Sequence, residues 1–304
     1  MDWTDDALWS KAKLYMGRAI VEQRDGPLFP FWCSLALEFL ARSALAIISP
    51  TLLAEPDRDM KNLLYALGKG PPSKGAKSIN AVLVFELCKQ LVPGFGPEEK
   101  ELCEALSNRR NEELHSGGMP FEIFKTSDWL SKFYATAAVL LKFQKRELKD
   151  LLGKKEAAAA MTMIEAFKQE VSGKVKKSVH AHKTIFDEKP EKRQAELLAK
   201  SAAAAKEKTA HGGHGVICPA CGAKSWVIGD SISHQETRFE GDRIVERISV
   251  LPTSFTCISC GLSLSGHSEL QAAGLGGQFT RSRYFDPVSY YGFDVAAEEE
   301  YNNE

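Results

Sequence analysis

Two groups of residues in this 304-residue sequence have the types and spacing to do chemistry. The first is a pair of turns, ICPACG and TCISCG, which carry Cys218, Cys221, Cys257 and Cys260. A CxxC turn lets two thiolates reach one cation, and the glycine after it tolerates the positive φ that closes the turn. Two such turns supply four thiolates, the tetrahedral set that Zn²⁺ prefers at ~2.3 Å. Four sulfur ligands leave no open position, so the pattern predicts a structural zinc and not a catalytic one. The gap between the pairs exceeds the commonest two-pair spacing and predicts an elongated hairpin. His211 and His214 sit in HGGHG just before Cys218 and read as hinge residues. His180 and His182 read as surface residues.

The second group is LSNRRNEELHSGG, residues 106–118, with Arg110, Asn111 and His115 in order. Arg110 and His115 are five residues apart, about 140° around a helix, so one helix does not aim both at one point. Asn111 and His115 stand one turn apart, close enough for the amide to orient the imidazole. The bland roles are an Arg110 paired with Glu113 or Glu38, and a His115 that closes the helix where its dipole favours positive charge.

Arg, four residues, then His, with Asn directly after the Arg, resembles the signature of the HEPN family. The helix FWCSLALEFLARSALA is similar to that family's second long helix, with Glu38 as its polar residue, and the helix holding Trp129 and Phe133 also fits. The resemblance covers roughly residues 1–152. It implies a metal-independent endoribonuclease that acts as a homodimer, two motif helices facing each other across a twofold axis. In that reading His115 moves protons near neutral pH. Arg110 holds the phosphate and stabilises its growing charge, and Asn111 orients His115. Arg109 adds a basic neighbour. Catalysis needs no cofactor, and the products are a 2′,3′-cyclic phosphate and a 5′-hydroxyl. Toxin or antiphage-defence effector is the role the resemblance suggests. Many members are inactive, so the alternative is a non-catalytic module that binds RNA or a protein partner.

The elements that must position these residues divide the chain. Residues 1–152 read as a helical bundle, with helices over Trp3–Arg24, Phe31–Ile48, Asp59–Leu67, Ile79–Leu91, Glu98–His115 and Ser127–Leu152. Residues 153–215 are rich in Ala, Lys and Glu with a thin apolar stripe, and predict a helical linker. Residues 216–268 alternate Val, Ile, Thr, Phe and Trp with polar residues, and Glu240-Gly241-Asp242 marks a turn between strands of a small β zinc ribbon. Residues 269–304 are aromatic and then acidic, and the acidic end is too polar to build a core. Tyr284, Phe285, Tyr290 and Tyr291 would either anchor a regulatory protein partner or pack back on the ribbon. The fold class is therefore mainly α, with a small C-terminal β ribbon.

Composition fits a soluble chain, with 44% hydrophobic and 26% charged residues. The acidic start MDWTDDALWS is unlike a secretory signal, and Glu38 and Arg42 interrupt the best candidate membrane run, so a cytoplasmic protein with no membrane partner is expected. Of seven cysteines, Cys33, Cys88 and Cys103 lie in apolar helical sequence and read as small buried hydrophobes. Charge is uneven: residues 121–210 carry 19 Lys/Arg against 12 Asp/Glu, whereas residues 211–304 carry 6 against 12. The basic middle suits a polyanion such as RNA or, more blandly, a solvated helix surface. GPPSKGAKS fails as a phosphate loop, because Ala76 separates Gly75 from Lys77 and no apolar strand precedes it.

Overall fold

The computed structural model describes residues 2–69, 75–231 and 236–291. Residues 70–74 of the Gly/Pro/Lys loop and the acidic terminus 292–304 lie outside the described residues.

The N-terminal part is helical because each apolar run has a local start and stop. Helix α1 (Asp5–Val21) is capped by the Thr4 side chain, which accepts from the Ala7 amide, with Asp5 and Asp6 in its first turn. Helix α2 (Leu28–Ile48) is the apolar centre of the bundle. By length and composition it could cross a membrane, but most of it is buried against α1 and the later helices. A 3-10 turn (Pro50–Leu53) and α3 (Lys61–Ala66) lead to α4 (Ala81–Leu91), which Asn80 caps through the Leu83 amide. Helix α5 (Pro97–His115) starts with proline in its first turn and the Glu99 carboxylate on the Gly96 amide. These helices share one core, in which Phe29, Leu37, Phe85, Trp129 and Phe133 are buried.

The stretch Ser127–Leu152 is not one helix. Helix α6 (Thr126–Phe143) stops where Lys145 adopts φ 55°. Gln144 then turns into the core, donating to the Leu40 carbonyl and accepting from Ser43 and Arg146. No glycine or proline announces this break. Helix α7 (Leu148–Asp187) follows and is itself interrupted at Gly153, with φ 75° and ψ 163°. Helix α8 (Glu191–Ala210) runs to the HGGHG turn.

The thin apolar stripe of α7 has a use. Val175 is buried in the ribbon's core, with Val171 and Val179 of α7 and Leu198 of α8 packed beside it. The sheet comprises β1 (His214–Ile217), β2 (Lys224–Ser231), β3 (Glu236–Glu240), β4 (Arg243–Thr256) and β5 (Ser263–Ser265), all antiparallel. A short helix α9 (His267–Ala272) intervenes before β6 (Phe279–Phe285), and α10 (Pro287–Tyr291) ends the described chain. β4 is the axis: its register puts β2 and β3 in succession along one edge, and β5 and β6 along the other. Gly241, at φ 65°, closes the turn between β3 and β4. The aromatic segment after residue 268 thus contributes a seven-residue strand to the sheet, while Tyr284 stays exposed.

At Gly229 the β2–β4 register shifts, and a Cβ there would stand 2.0 Å from the Leu251 carbonyl oxygen. Gly229→Ala is therefore expected to force the strands apart and destabilise the ribbon by about 3 kcal/mol. Chemical denaturation followed by Trp226 fluorescence checks this, and an unchanged midpoint would contradict it.

The two parts touch directly. Glu98, at the start of α5, accepts from the Ser268 amide at 3.2 Å and its hydroxyl at 2.5 Å. Lys89 lies 3.6 Å from the Asp230 carboxylate.

Candidate functional site

The four ribbon cysteines converge because two turns of the same shape face each other. In the first, the Gly222 amide donates to the Cys218 carbonyl and the Cys218 amide to the Ala223 carbonyl, with Gly222 at φ 71°. In the second, Gly261 donates to Cys257 and Cys257 to Leu262, with Gly261 at φ 79°. The β2–β4 and β4–β5 ladders hold the turns in register. The four sulfurs all lie within 4.8 Å of one another. Cys218–Cys260 and Cys221–Cys257 are each 3.6 Å apart. A tetrahedron of ~2.3 Å zinc–sulfur bonds has edges of about 3.8 Å, whereas a disulfide would be about 2.05 Å. The four cysteines thus form a metal site whose donors and spacing fit zinc. Crowding drives their proton affinities apart: hydrogen bonds from Cys218 and Cys260 push the Cys257 thiol down, and those with Cys218 and Cys257 push Cys260 up. Neither His211 nor His214 belongs to the cluster.

The second site is built across α2 and α5. Arg110 is buried at 9% exposure and forms an ion pair with Glu38, 72 residues earlier. Its Nη2 donates to the Ser107 hydroxyl at 3.2 Å and to Asn111 Oδ1 at 3.0 Å. Glu38 is shared: Arg42, one turn along α2, donates to it from Nε at 2.9 Å and Nη2 at 2.8 Å. Arg42 also reaches the Ile79 carbonyl at 2.9 Å and Ser78 at 3.2 Å. Burial pushes the Glu38 carboxyl up, but Arg42 and Arg110 outweigh it and hold the group below its ordinary value. Two guanidinium groups on one carboxylate leave the cluster with a net positive charge.

His115 is elsewhere on the same helix. It is the last residue of α5 and exposed, and its imidazole has no hydrogen bond to another described residue. Asn111 directs its carbonyl oxygen to Arg110 and not to the imidazole. Arg109 stacks its guanidinium 4.1 Å over Phe124 and donates to the Ala105 carbonyl. Glu113 takes no part in the Arg110 pairing, and one of its oxygens is buried without a partner. The fold thus brings Glu38, Arg110 and Asn111 together and leaves His115 apart from them, exposed at the end of α5. Arg42 and Ser107 are the members that motif reasoning missed. The E-x-x-x-R spacing on the apolar helix α2 was the available signal for Arg42.

Cys33, Cys88 and Cys103 are fully buried, and burial pushes each thiol up, so they are inert packing residues. Comparison with family models, curated proteins and solved structures gives no match for this chain.

Proposed function

We propose that the helical part is a metal-independent endoribonuclease of the HEPN kind, working as a homodimer, and that the ribbon holds a structural zinc. The observation that carries this reading is the Glu38–Arg42–Arg110 cluster beside the motif helix. A buried guanidinium that is already oriented stabilises charge growing on a phosphate without first having to reorganise. The surplus positive charge favours an anion at its edge. His115, exposed at the end of the same helix, would reach that phosphate only where the motif helices of two protomers face each other. The ribose 2′-oxygen attacks phosphorus, and the bond to the 5′-oxygen breaks. The His115 of one protomer takes the 2′-hydroxyl proton, and that of its partner protonates the leaving oxygen. The dimer finds support in Leu114, Met119 and Ile123, three large apolar side chains in and just after the motif that are exposed and that a second copy would cover. The role of toxin or defence effector follows from the family resemblance.

A specific observation favours a second reading, a non-catalytic module that binds RNA or a protein. All the Arg110 donors named above are engaged inside the chain, as in an arginine that only ties α5 to α2. Zinc-loaded protein incubated with mixed RNAs, without added divalent cations, separates the two. Wild type is expected to cleave, and His115→Ala to lose at least 100-fold in rate. Equal survival of RNA with both proteins would favour the second reading.

A further inference from the structure

The HGGHG turn and the strand FTRSRYF meet at the end of α8. Together they enclose a cleft of about 320 Å³ between the end of α8 and β6. His211, His214, Arg281 and Arg283 line it with the Thr280 and Ser282 positions, and among the described residues no carboxylate does. We propose that this cleft binds consecutive phosphates of an RNA strand. The choice of RNA rests on the ribonuclease reading; the chemistry of the cleft does not.

The construction is specific. Residues 279, 281 and 283 share one face of β6, and His214 stacks on Phe279 at 4.6 Å, which fixes the imidazole at the cleft wall. Arg281 lies against Gly212, whose φ of 96° and missing Cβ leave room for the guanidinium; a Cβ there would stand 3.3 Å from it. The Arg281 Nε is buried with no hydrogen-bond partner. Neither Arg281 nor Arg283 forms an ion pair among the described residues. Glu246 faces Arg283 across the ladder, outside ion-pair distance. The His211 Nδ1–H donates to the Glu207 carbonyl at 2.8 Å, so Nε2 is left for another partner.

The end of α8 would ordinarily repel an anion. Here the turn blunts it: the His211 and Gly213 amides cap the Lys208 carbonyl, and the Gly212 amide caps that of Thr209. Two arginines with no internal carboxylate partner, one with a buried and unused donor, are matched by an acceptor-rich anion. Side chains two apart on a strand stand about 7 Å apart, a spacing comparable to adjacent phosphates of a single strand.

The test measures binding of a fluorescent 2′-O-methyl RNA oligonucleotide, which lacks the attacking hydroxyl, to the zinc-loaded full chain across a salt series. Replacing Arg281 and Arg283 together by Gln should weaken binding at least tenfold and reduce the log–log salt slope by about 1.4, or ~0.7 for each lost contact. The Lys pair should retain most of the affinity. Ser282→Glu, at an exposed position, should weaken binding through added negative charge, and it keeps the test available if the Gln pair loses zinc. Unchanged affinity and slope in the Gln pair, or in Ser282→Glu should the Gln pair not fold, would overturn the cleft. Inorganic pyrophosphate binding as tightly as the oligonucleotide would overturn the strand assignment. The oligonucleotide cannot be cleaved, so binding is read apart from catalysis: RNA that stays intact in the cleavage assay while the Gln pair loses binding here counts against the nuclease reading alone, and cleavage with unchanged binding in the Gln pair counts against the cleft alone.

Discussion

Cys257→Ser is expected to abolish zinc binding and unfold the ribbon while the helical bundle stays folded. A serine hydroxyl at neutral pH is no substitute for a thiolate, and three sulfurs do not close the tetrahedron. Structural zinc in small domains contributes about 10–16 kcal/mol of apparent binding energy, which for such domains is folding energy. The ribbon's own core is modest and borrows Val171, Val175 and Val179 from α7. The bundle has a separate core centred on α2 and should survive. Metal analysis should therefore fall from one zinc per chain to none, and proteolysis should open the region after α8. Cobalt-loaded wild type should have the absorption bands of a tetrahedral thiolate site. A Cys257→Ser protein that kept one zinc per chain would contradict the site.

The second large effect is expected at Glu38. Glu38→Gln leaves two buried guanidinium groups without their shared charge partner. Breaking a buried ion pair on one side costs about 3–5 kcal/mol, since an uncompensated charge remains. The thermal midpoint of the bundle should drop by on the order of 10 °C. Removing Glu38, Arg42 and Arg110 together in favour of apolar residues should cost much less, because no charge is then stranded. The pH dependence has a definite sign. The folded carboxyl lies below its ordinary value of 4.5, so its contribution is full above that value and is lost as pH falls through the folded value. Wild type should lose stability on acidification over that range, and Glu38→Gln should lose less of it. Equal acid sensitivity in both would detach Glu38 from the effect.

These two features differ in how openly the sequence carries them. The metal turns are local: each needs six residues, and ICPACG and TCISCG state the cysteines and the positive-φ glycine outright. The arginine cluster is partly local, since Glu38 and Arg42 share a helix face. The Glu38–Arg110 contact needs α2 and α5 to pack, and Glu113 competed for the same role on sequence grounds. The direction of Asn111 was not legible, because an amide at that position can reach either Arg110 or His115. The break between α6 and α7 has no local signature in the sequence, because Lys145, and no glycine, takes the left-handed turn. Strand β6 was hidden by its composition: FTRSRYF alternates aromatic and cationic residues with polar ones, a pattern that reads as a tail until β4 provides an edge for it. The valines of α7 were visible at four-residue spacing, but nothing local says that their partner is a ribbon some fifty residues on.

The chemistry proposed for His115 and the buried arginine cluster is RNA cleavage without metal. The most direct measurement identifies the ends of the fragments made by zinc-loaded protein in buffer free of added divalent cations. Wild type is expected to leave a 2′,3′-cyclic phosphate and a 5′-hydroxyl, and His115→Ala neither. Intact RNA with both proteins, or fragments ending in 5′-phosphate and 3′-hydroxyl, would contradict it.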